Sequence, residues 1–184
     1  MSLKELTMEQ HRDAERQKFA SILMSGNISQ ESYLRYLVNQ FACYSALEMH
    51  NYFQLFPDDL KRSCNIEQDI SELKQNLGIE NSNSLSTLLT DSTREYVTFV
   101  KAINTEDDFI AHVYVRYLGD LRGGQIIAKK IPGKGMYYQF DNPNDLAQSI
   151  YMKLNDDMAE EARNVFRFAT RLFVEMYDSI DEGG

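Results

Sequence analysis

The sequence predicts an all-α protein, with about seven helices packed around one core. Apolar residues recur in steps of three and four along most of the chain, which is the period of an amphipathic helix. The three prolines, Pro57, Pro132 and Pro143, lie between these periodic segments. No stretch alternates apolar and polar residues for more than a few positions, as a half-buried strand would. Because no linker divides the 184 residues, we expect a single domain over 1–184, with 181–184 as a frayed tail.

The first half of the chain shows four helical segments with recognisable ends. We predict helices over about 3–24, 29–55, 66–77 and 84–102. Gly26 and Gly78 follow the first and third segments and are typical helix stops. Ser29 precedes the second as a plausible N-cap, and Pro57 follows its end.

The second half shows three more segments, over about 106–130, 143–153 and 156–179. Thr105, with Asp108 three positions later, resembles a capping box. Asn142 and Pro143 form a second start signal, a cap followed by proline at the first helical position. The last segment carries one apolar stripe, formed by Ala159, Ala162, Val165, Phe166, Ala169, Leu172, Phe173 and Met176.

Composition excludes several classes of protein. A net charge of −9 argues against broad contact with nucleic acid or an anionic membrane. No apolar run is long enough to span a bilayer, and the polar first residues do not resemble a secretion signal. Cys43 and Cys64 lack paired spacing and are predicted to be free thiols. These features favour a soluble cytoplasmic protein without a membrane anchor.

The segment YVRYLGDLRGGQ at 114–125 concentrates glycine inside a predicted helix. Each interior glycine costs roughly 0.5–1 kcal/mol relative to alanine. Gly119 and Gly123 are four apart and share a face, with Gly124 beside them. Close helix–helix packing is one explanation. However, packing does not require Arg116 and Asp120 at i,i+4, where an ion pair or a water-bridged network can form. We therefore favour a flat ligand lying against the helix backbone.

Four blocks of sequence carry a resemblance to one family. AHVYVRYLGDLRGGQ resembles the distal-helix signature of heme oxygenases, with Val115 and Arg122 where the family usually has Thr and Ser. The other three blocks are LKELTMEQHRDAE at 3–15, YSALE at 44–48 and EEARNVFRFATRLF at 160–173. They resemble, in the same order, the first, second and last helices of that family. The resemblance spans nearly the whole chain, which is shorter than typical members between Ile131 and Ala159.

The resemblance implies a role for each matching residue. His11 would be the proximal iron ligand, whereas His50 and His112 are predicted to be structural. Asp120 would act on oxygen through water, in a network oriented by Arg116 and Tyr44. The remaining implied heme contacts are Lys4, Tyr114, Arg163 and Arg167 near the propionates, and Gly119, Gly123 and Gly124 on the distal helix. From composition alone, His11, Lys4 and the arginines could equally be solvated surface residues.

The implied function is oxidative cleavage of heme b, which is both substrate and cofactor. By resemblance, O₂ and electrons from an external donor open the ring at the α-meso carbon, giving biliverdin IXα, CO and Fe²⁺. The Asp120 and water network would activate the iron-bound hydroperoxide. Reduced ferredoxin is the expected donor, and a bilin reductase is a possible downstream partner.

Two alternatives compete with this reading. A heme carrier or sensor without turnover would not need Asp120, Arg116 and the glycines together. A di-iron carboxylate bundle would need Glu-x-x-His pairs, and the sequence contains none.

Overall fold

The computed structural model describes residues 1–80 and 82–183, except for the side chains of 82–84 and 181–183. The α-helices are α1 Leu3–Leu6, α2 Met8–Glu15, α3 Lys18–Ser25, α4 Gln30–Glu48, α5 Ser63–Leu77, α6 Asp91–Lys101, α7 Glu106–Leu121, α8 Gly124–Ile127, α9 Pro143–Tyr151 and α10 Ala159–Gly183. Short 3₁₀ segments span Asn51–Leu55, Asp58–Leu60, Ser82–Leu88, Met136–Tyr138 and Asp156–Met158. The described residues contain no strand, which confirms the predicted all-α class.

Three long helices, α4, α7 and α10, form the centre of the molecule. α4 packs against α5 and α6, while α10 packs against α7, α2 and α3. Both α4 and α7 bury side chains on more than one face, as expected for helices enclosed by neighbours. The core therefore packs against α7, while Gly119 near the end of this helix is exposed.

The predicted helix ends are largely confirmed. Ser29 Oγ accepts the N–H of Ser32 at 3.1 Å, and Thr105 Oγ1 accepts the N–H of Asp108 at 3.3 Å. Gly26 and Gly78 adopt left-handed backbone angles, with φ of +81° and +70°, which glycine reaches without steric cost. The capping signals in the sequence thus locate these boundaries correctly.

The predicted helix at 3–24 is wrong in its continuity, because it is divided into α1, α2 and α3. Thr7 and Gln17 interrupt it; Gln17 has extended backbone with ψ of 142°. The interruption bends the chain so that α2 and α3 both pack on α10. Tertiary packing here outweighs the local preference for one long helix.

Other predicted boundaries shift for local reasons. α4 ends at Glu48 rather than near 55, because His50 is extended and starts a 3₁₀ segment. α6 begins at Asp91 rather than 84. α10 continues through Gly183, into the tail predicted to be frayed, and Gly184 lies outside the described residues. None of the described helices combines the length and the apolar character needed to cross a bilayer.

Candidate active site

Asp120 on α7 is the centre of a buried polar cluster. Its carboxylate accepts the Tyr44 hydroxyl of α4 at Oδ2 and the Tyr137 hydroxyl at Oδ1, the latter at 3.1 Å. Asp120 is only 8% exposed, and both tyrosines are buried. The pairing of Tyr44 with Asp120 agrees with the predicted distal group. Tyr137 was not predicted.

Burial raises the pKa of Asp120 from its ordinary value of 3.8 to about 7. Loss of water around a carboxylate disfavours its charged form. The hydroxyls of Tyr44 and Tyr137, and the positive charges of Arg62 and Arg116, act in the opposite direction. Asp120 therefore changes protonation near neutral pH, where a carboxylate can both accept and release a proton.

Arg116 lies in the same cluster but faces away from Asp120. Its guanidinium carbon lies 4.0 Å from the centroid of the Tyr96 ring on α6, which is a cation–π contact. The sequence spacing allowed either a direct ion pair or a water-bridged network between Arg116 and Asp120. The direct ion pair is wrong, because no such pair exists among the described side chains. Arg116 Nε is buried without a protein hydrogen-bond partner. The positive charge of Arg116 still acts to lower the pKa of Asp120.

The three glycines of the α7–α8 region have different surroundings. A Cβ built on Gly119 would meet no atom within 4 Å, and one on Gly123 would meet only the Gly119 carbonyl oxygen, at 3.9 Å. A Cβ on Gly124 would lie 2.9 Å from the Tyr138 ring. Gly124 therefore permits close packing, whereas Gly119 and Gly123 leave bare backbone facing open space. Close packing explains Gly124, and the open space at Gly119 and Gly123 is what the predicted flat ligand would require.

The backbone kinks within this segment. α7 ends at Leu121 and α8 starts at Gly124, since Arg122 leaves helical geometry with φ of −111° and ψ of −89°. The Arg122 side chain is exposed, and its guanidinium carbon lies 5.8 Å from the Tyr151 ring centroid. Gly119 and Gly123, on either side of this kink, are both exposed.

His11 on α2 is accessible on the N-terminal side of the molecule. Its side chain is 45% exposed, and its Nε2 lies 2.8 Å from Oε1 of Glu15. The imidazole also stacks on the Phe166 ring of α10, with centroids 4.9 Å apart. A carboxylate that holds one ring nitrogen leaves the other free to bind a metal, which is the usual arrangement around metal-binding histidines.

Two contacts lie on either side of His11 and Gly119 along the chain. The Tyr114 side chain of α7 lies close to that of Thr7, just before α2. Further along both segments, α8 packs on α3. We therefore expect α2 and the end of α7 to face each other across one cleft, in which a ligand would lie.

The other histidines bind protein groups. His112 is buried, with Nδ1 2.6 Å from the Tyr96 hydroxyl and Nε2 3.4 Å from Glu161 Oε2. His50 Nδ1 accepts the N–H of Tyr52, and its Nε2 lies 2.9 Å from the carbonyl oxygen of Ile103. Both agree with the structural roles predicted for them. His50 caps the start of the following 3₁₀ segment, whereas the sequence placed it at the end of α4.

The basic residues proposed for carboxylate binding differ in how they are held. Lys4 and Arg167 are exposed, and Nη1 of Arg167 donates to Asn164 Oδ1 at 2.9 Å. Arg163 Nε instead donates to the carbonyl oxygen of Leu6 at 2.9 Å. Arg163 therefore fixes the end of α1 against α10, a structural role that its spacing in the sequence did not indicate.

A structural network beneath Asp120 was also missed. Glu48 accepts the Tyr117 hydroxyl at 2.7 Å and the Arg62 N–H at 2.9 Å. Nη1 of Arg62 donates to the carbonyl oxygen of Tyr137 at 3.0 Å. The only sequence signal for this network was the adjacent pair Tyr137 and Tyr138. This pair lies between Ile131 and Ala159, the region in which the sequence predicted a shortened loop. Among the described residues, no group of three or more His, Cys, Asp or Glu side chains forms a metal cage.

Comparisons with known proteins identify relatives of this chain. The family model described as heme oxygenase matches residues 1–175. A heme oxygenase of Guillardia theta is 32% identical, over 86% of this chain and 68% of its own length. Heme oxygenase 2 of Oryctolagus cuniculus is 28% identical, over 95% of this chain and 64% of its own length. The chain thus spans about two thirds of the length of these relatives.

Solved structures show the same fold. The heme oxygenase of Leptospira interrogans has a TM-score of 0.78 at 26% identity, covering 95% of this chain and 100% of that one. Heme oxygenase-1 of the cyanobacterium Synechocystis, solved in complex with heme, has a TM-score of 0.80 at 23% identity, covering 98% and 93%.

Proposed function

The chain belongs to the heme oxygenase family, and on that premise we propose that it cleaves heme oxidatively at the α-meso carbon. The products would be biliverdin IXα, CO and Fe²⁺, with O₂ and electrons from an external donor as co-reactants. The observation that carries the proposal is a buried carboxylate, Asp120, beside the bare backbone of Gly119. The half-exposed His11 would border the same cleft from α2.

The residues present are suited to heme. A planar macrocycle needs a smooth surface, and Gly119 and Gly123 offer backbone with open space where other residues would carry a Cβ. An iron centre needs a neutral imidazole, and His11 is accessible and held by Glu15. Bound heme supplies both the ring that is oxidised and the iron that reacts with O₂.

Asp120 would accept and donate protons on the side of the ring that lies against Gly119 and Gly123. A carboxyl group with a pKa of about 7 is present in both protonation states near neutral pH, as an acid–base group requires. Tyr44 fixes its orientation from α4. Arg116, buried four residues earlier on α7, adds positive charge to the same pocket and would help to order water there.

Positively charged residues would orient the propionates. Lys4 and Arg167 are exposed on α1 and α10, the two helices that flank α2. Carboxylates form charge-assisted hydrogen bonds with such groups. Arg163 would contribute by fixing α1, and Tyr114 by its bond with Thr7. Their joint placement would set which meso carbon lies under the glycine face.

Reduced ferredoxin is the donor that we propose, and a bilin reductase is a candidate consumer of the product. Both follow from resemblance to the family.

Aerobic turnover tests the proposal. Purified protein is loaded with heme and given reduced ferredoxin, and biliverdin and CO are measured. We expect a green product from the wild type. The Asp120→Ala variant should still bind heme but form bilin about 100-fold more slowly, because removal of a positioned acid–base group costs about 10²–10⁴-fold.

Asp107→Ala provides a matched control, since Asp107 is an exposed carboxylate at the start of the same helix. It should turn over at the wild-type rate. Heme that stays bound with an unchanged Soret band in the wild type would show a carrier or sensor instead. Bilin formation at the native rate by Asp120→Ala would remove Asp120 from the reaction.

A further inference from the structure

The Asp120 carboxylate is held at both oxygens by hydroxyls from separate elements. Tyr44, from α4, donates to Oδ2. Tyr137, from the 3₁₀ segment Met136–Tyr138, donates to Oδ1 at 3.1 Å. The two phenol rings contact each other edge to face, with centroids 5.6 Å apart. A carboxylate with a donor on each oxygen has its plane fixed, whereas one donor would leave it free to rotate.

Tyr137 is itself immobilised through its backbone. Its N–H donates to Asp69 Oδ2 on α5 at 2.8 Å. Its carbonyl oxygen accepts Nη1 of Arg62 at 3.0 Å. The ring stacks on Tyr138, with centroids 4.2 Å apart and planes 13° from parallel. Asp69 and Arg62 are both buried, so charged groups inside the protein hold the main chain of Tyr137 in place.

A third side chain sets the direction of the Tyr137 hydroxyl. Nε2 of Gln40, on α4, lies 3.0 Å from the Tyr137 oxygen. An amide nitrogen can only donate, so the phenol oxygen accepts this bond. Its own hydrogen is then directed to Asp120. The chain of bonds runs from Gln40 through Tyr137 to Asp120, and each bond polarises the next.

We propose that Tyr137 is a positioning residue for the distal reaction, which together with Tyr44 fixes the Asp120 carboxylate against the glycine face. The proposal rests on the proposed function and adds to it a residue that acts through Asp120. The 3₁₀ segment, remote in sequence from the glycine-rich helix, would thus be part of the active site.

Other charged or polar groups also act on the Asp120 carboxylate and must be kept constant in any test. They are Arg116 on its own helix, Arg62 before α5, and the tyrosines that surround the carboxylate. A Tyr137→Phe change removes one oxygen and leaves these groups, the backbone bonds to Asp69 and Arg62, and the stacked ring. Such a variant isolates the hydroxyl.

The first measurement is the titration of Asp120 in the heme-free full chain. Protein labelled with ¹³C at the aspartate carboxyl is titrated by NMR, and the Asp120 signal is assigned from its loss in Asp120→Asn. Hydrogen bonds to a carboxylate favour its charged form. Tyr137→Phe should therefore raise the pKa of Asp120 by about one unit.

Tyr138→Phe is the matched control. Tyr138 is adjacent and also buried, but the hydroxyls that bind the Asp120 carboxylate are those of Tyr44 and Tyr137. It should leave the Asp120 titration unchanged. The Gln40→Leu variant, which removes the donor to Tyr137, should raise the pKa of Asp120 by a smaller amount. If Tyr137→Phe does not fold, the titration of Asp120 in Gln40→Leu tests the proposal instead.

The second measurement is the pH profile of bilin formation by the heme-loaded protein. Tyr137→Phe should bind heme as the wild type does, form bilin about tenfold more slowly, and shift its pH profile upward together with the Asp120 titration. Tyr138→Phe should follow the wild type in both respects.

An Asp120 titration that is the same in Tyr137→Phe and the wild type would overturn the proposal, as would an equal shift in Tyr138→Phe. A wild type that forms no bilin would refute the proposed function, while the titration would still decide whether Tyr137 holds Asp120. Normal turnover by the wild type together with a shifted Asp120 but an unchanged rate in Tyr137→Phe would limit Tyr137 to a structural role.

Discussion

The two sides of the proposed cleft are built in opposite ways. On the α7 side, Asp120, Tyr44 and Tyr137 are each less than a tenth exposed and are held by contacts from several elements. On the N-terminal side, the His11 side chain is 45% exposed, and α1 has four residues. The α7 side is part of the hydrophobic core, so its geometry forms with the fold. His11 on the N-terminal side lies at the surface, so its side chain can change with little effect on stability.

The largest effect should come from His11→Ala, which separates activity from stability. We expect bilin formation to fall by about 100-fold or more, because an iron ligand matters at least as much as the outer partners that cost 10–100-fold. The free energy of unfolding should change by less than about 1 kcal/mol, because the side chain is half exposed. Turnover, the heme spectrum and urea unfolding are the three measurements.

Added imidazole should restore part of the activity of His11→Ala, since it can bind iron in the space that the side chain leaves. His50→Ala is the control for loss of an imidazole away from the cleft, and its heme spectrum should match that of the wild type. If the spectrum of the His11→Ala complex were also unchanged, His11 would not be the ligand, and the contrast between the two sides would lose its functional meaning.

The same contrast explains what the sequence could predict. Helical periodicity and capping residues are local, so the all-α class and ends such as Ser29, Gly78 and Thr105 were predicted correctly. The break of the first helix into three depends on packing against α10, which no local pattern contains. Tyr137 meets Asp120 from a segment without helical period. Its role depends on Asp69 and Arg62, which bind the Tyr137 backbone and leave no sequence motif.

Arg116 shows the limit of spacing arguments. Positions four apart on a helix are neighbours, so an ion pair with Asp120 was a reasonable expectation. The guanidinium instead lies against Tyr96, while tyrosine hydroxyls bind the carboxylate. Competing partners on α4 and α6 decide the outcome, and these are known only once the helices are packed.

A second prediction concerns stability on the buried side. Because the pKa of Asp120 is raised to about 7 from an ordinary 3.8, the folded state binds more protons than the unfolded state between these values. Stability should therefore fall as pH rises through this window, by on the order of 4 kcal/mol in total from this group. Asp120→Asn removes that titration and should be about 2 kcal/mol more stable than the wild type near pH 8, after allowing about 1–2 kcal/mol for one imperfect amide hydrogen bond.

Urea unfolding of both proteins at several values between about pH 4 and pH 8 measures the effect as a difference of slopes, in which all other titrating groups cancel. The variant should have the flatter curve. Parallel curves would show that Asp120 titrates in the folded protein as it does in the unfolded chain, and that the buried cluster does not perturb it.

The smallest expected effect compares two arginines of α10 on the exposed side. Arg163 Nε binds the carbonyl oxygen of Leu6, whereas Arg167 bonds with Asn164 of its own helix. Arg163→Ala should lower the free energy of unfolding by about 1 kcal/mol, and Arg167→Ala by less than about 0.5 kcal/mol.

Arg167→Ala should instead weaken heme binding about fivefold at low salt, with a smaller effect at high salt, because an exposed charge pair contributes up to about 1 kcal/mol and is screened. Arg171→Ala, which removes a cation paired with Glu95, is the control and should leave heme affinity unchanged. Equal losses of affinity in Arg167→Ala and Arg171→Ala would mean that α10 attracts the propionates only through its general charge.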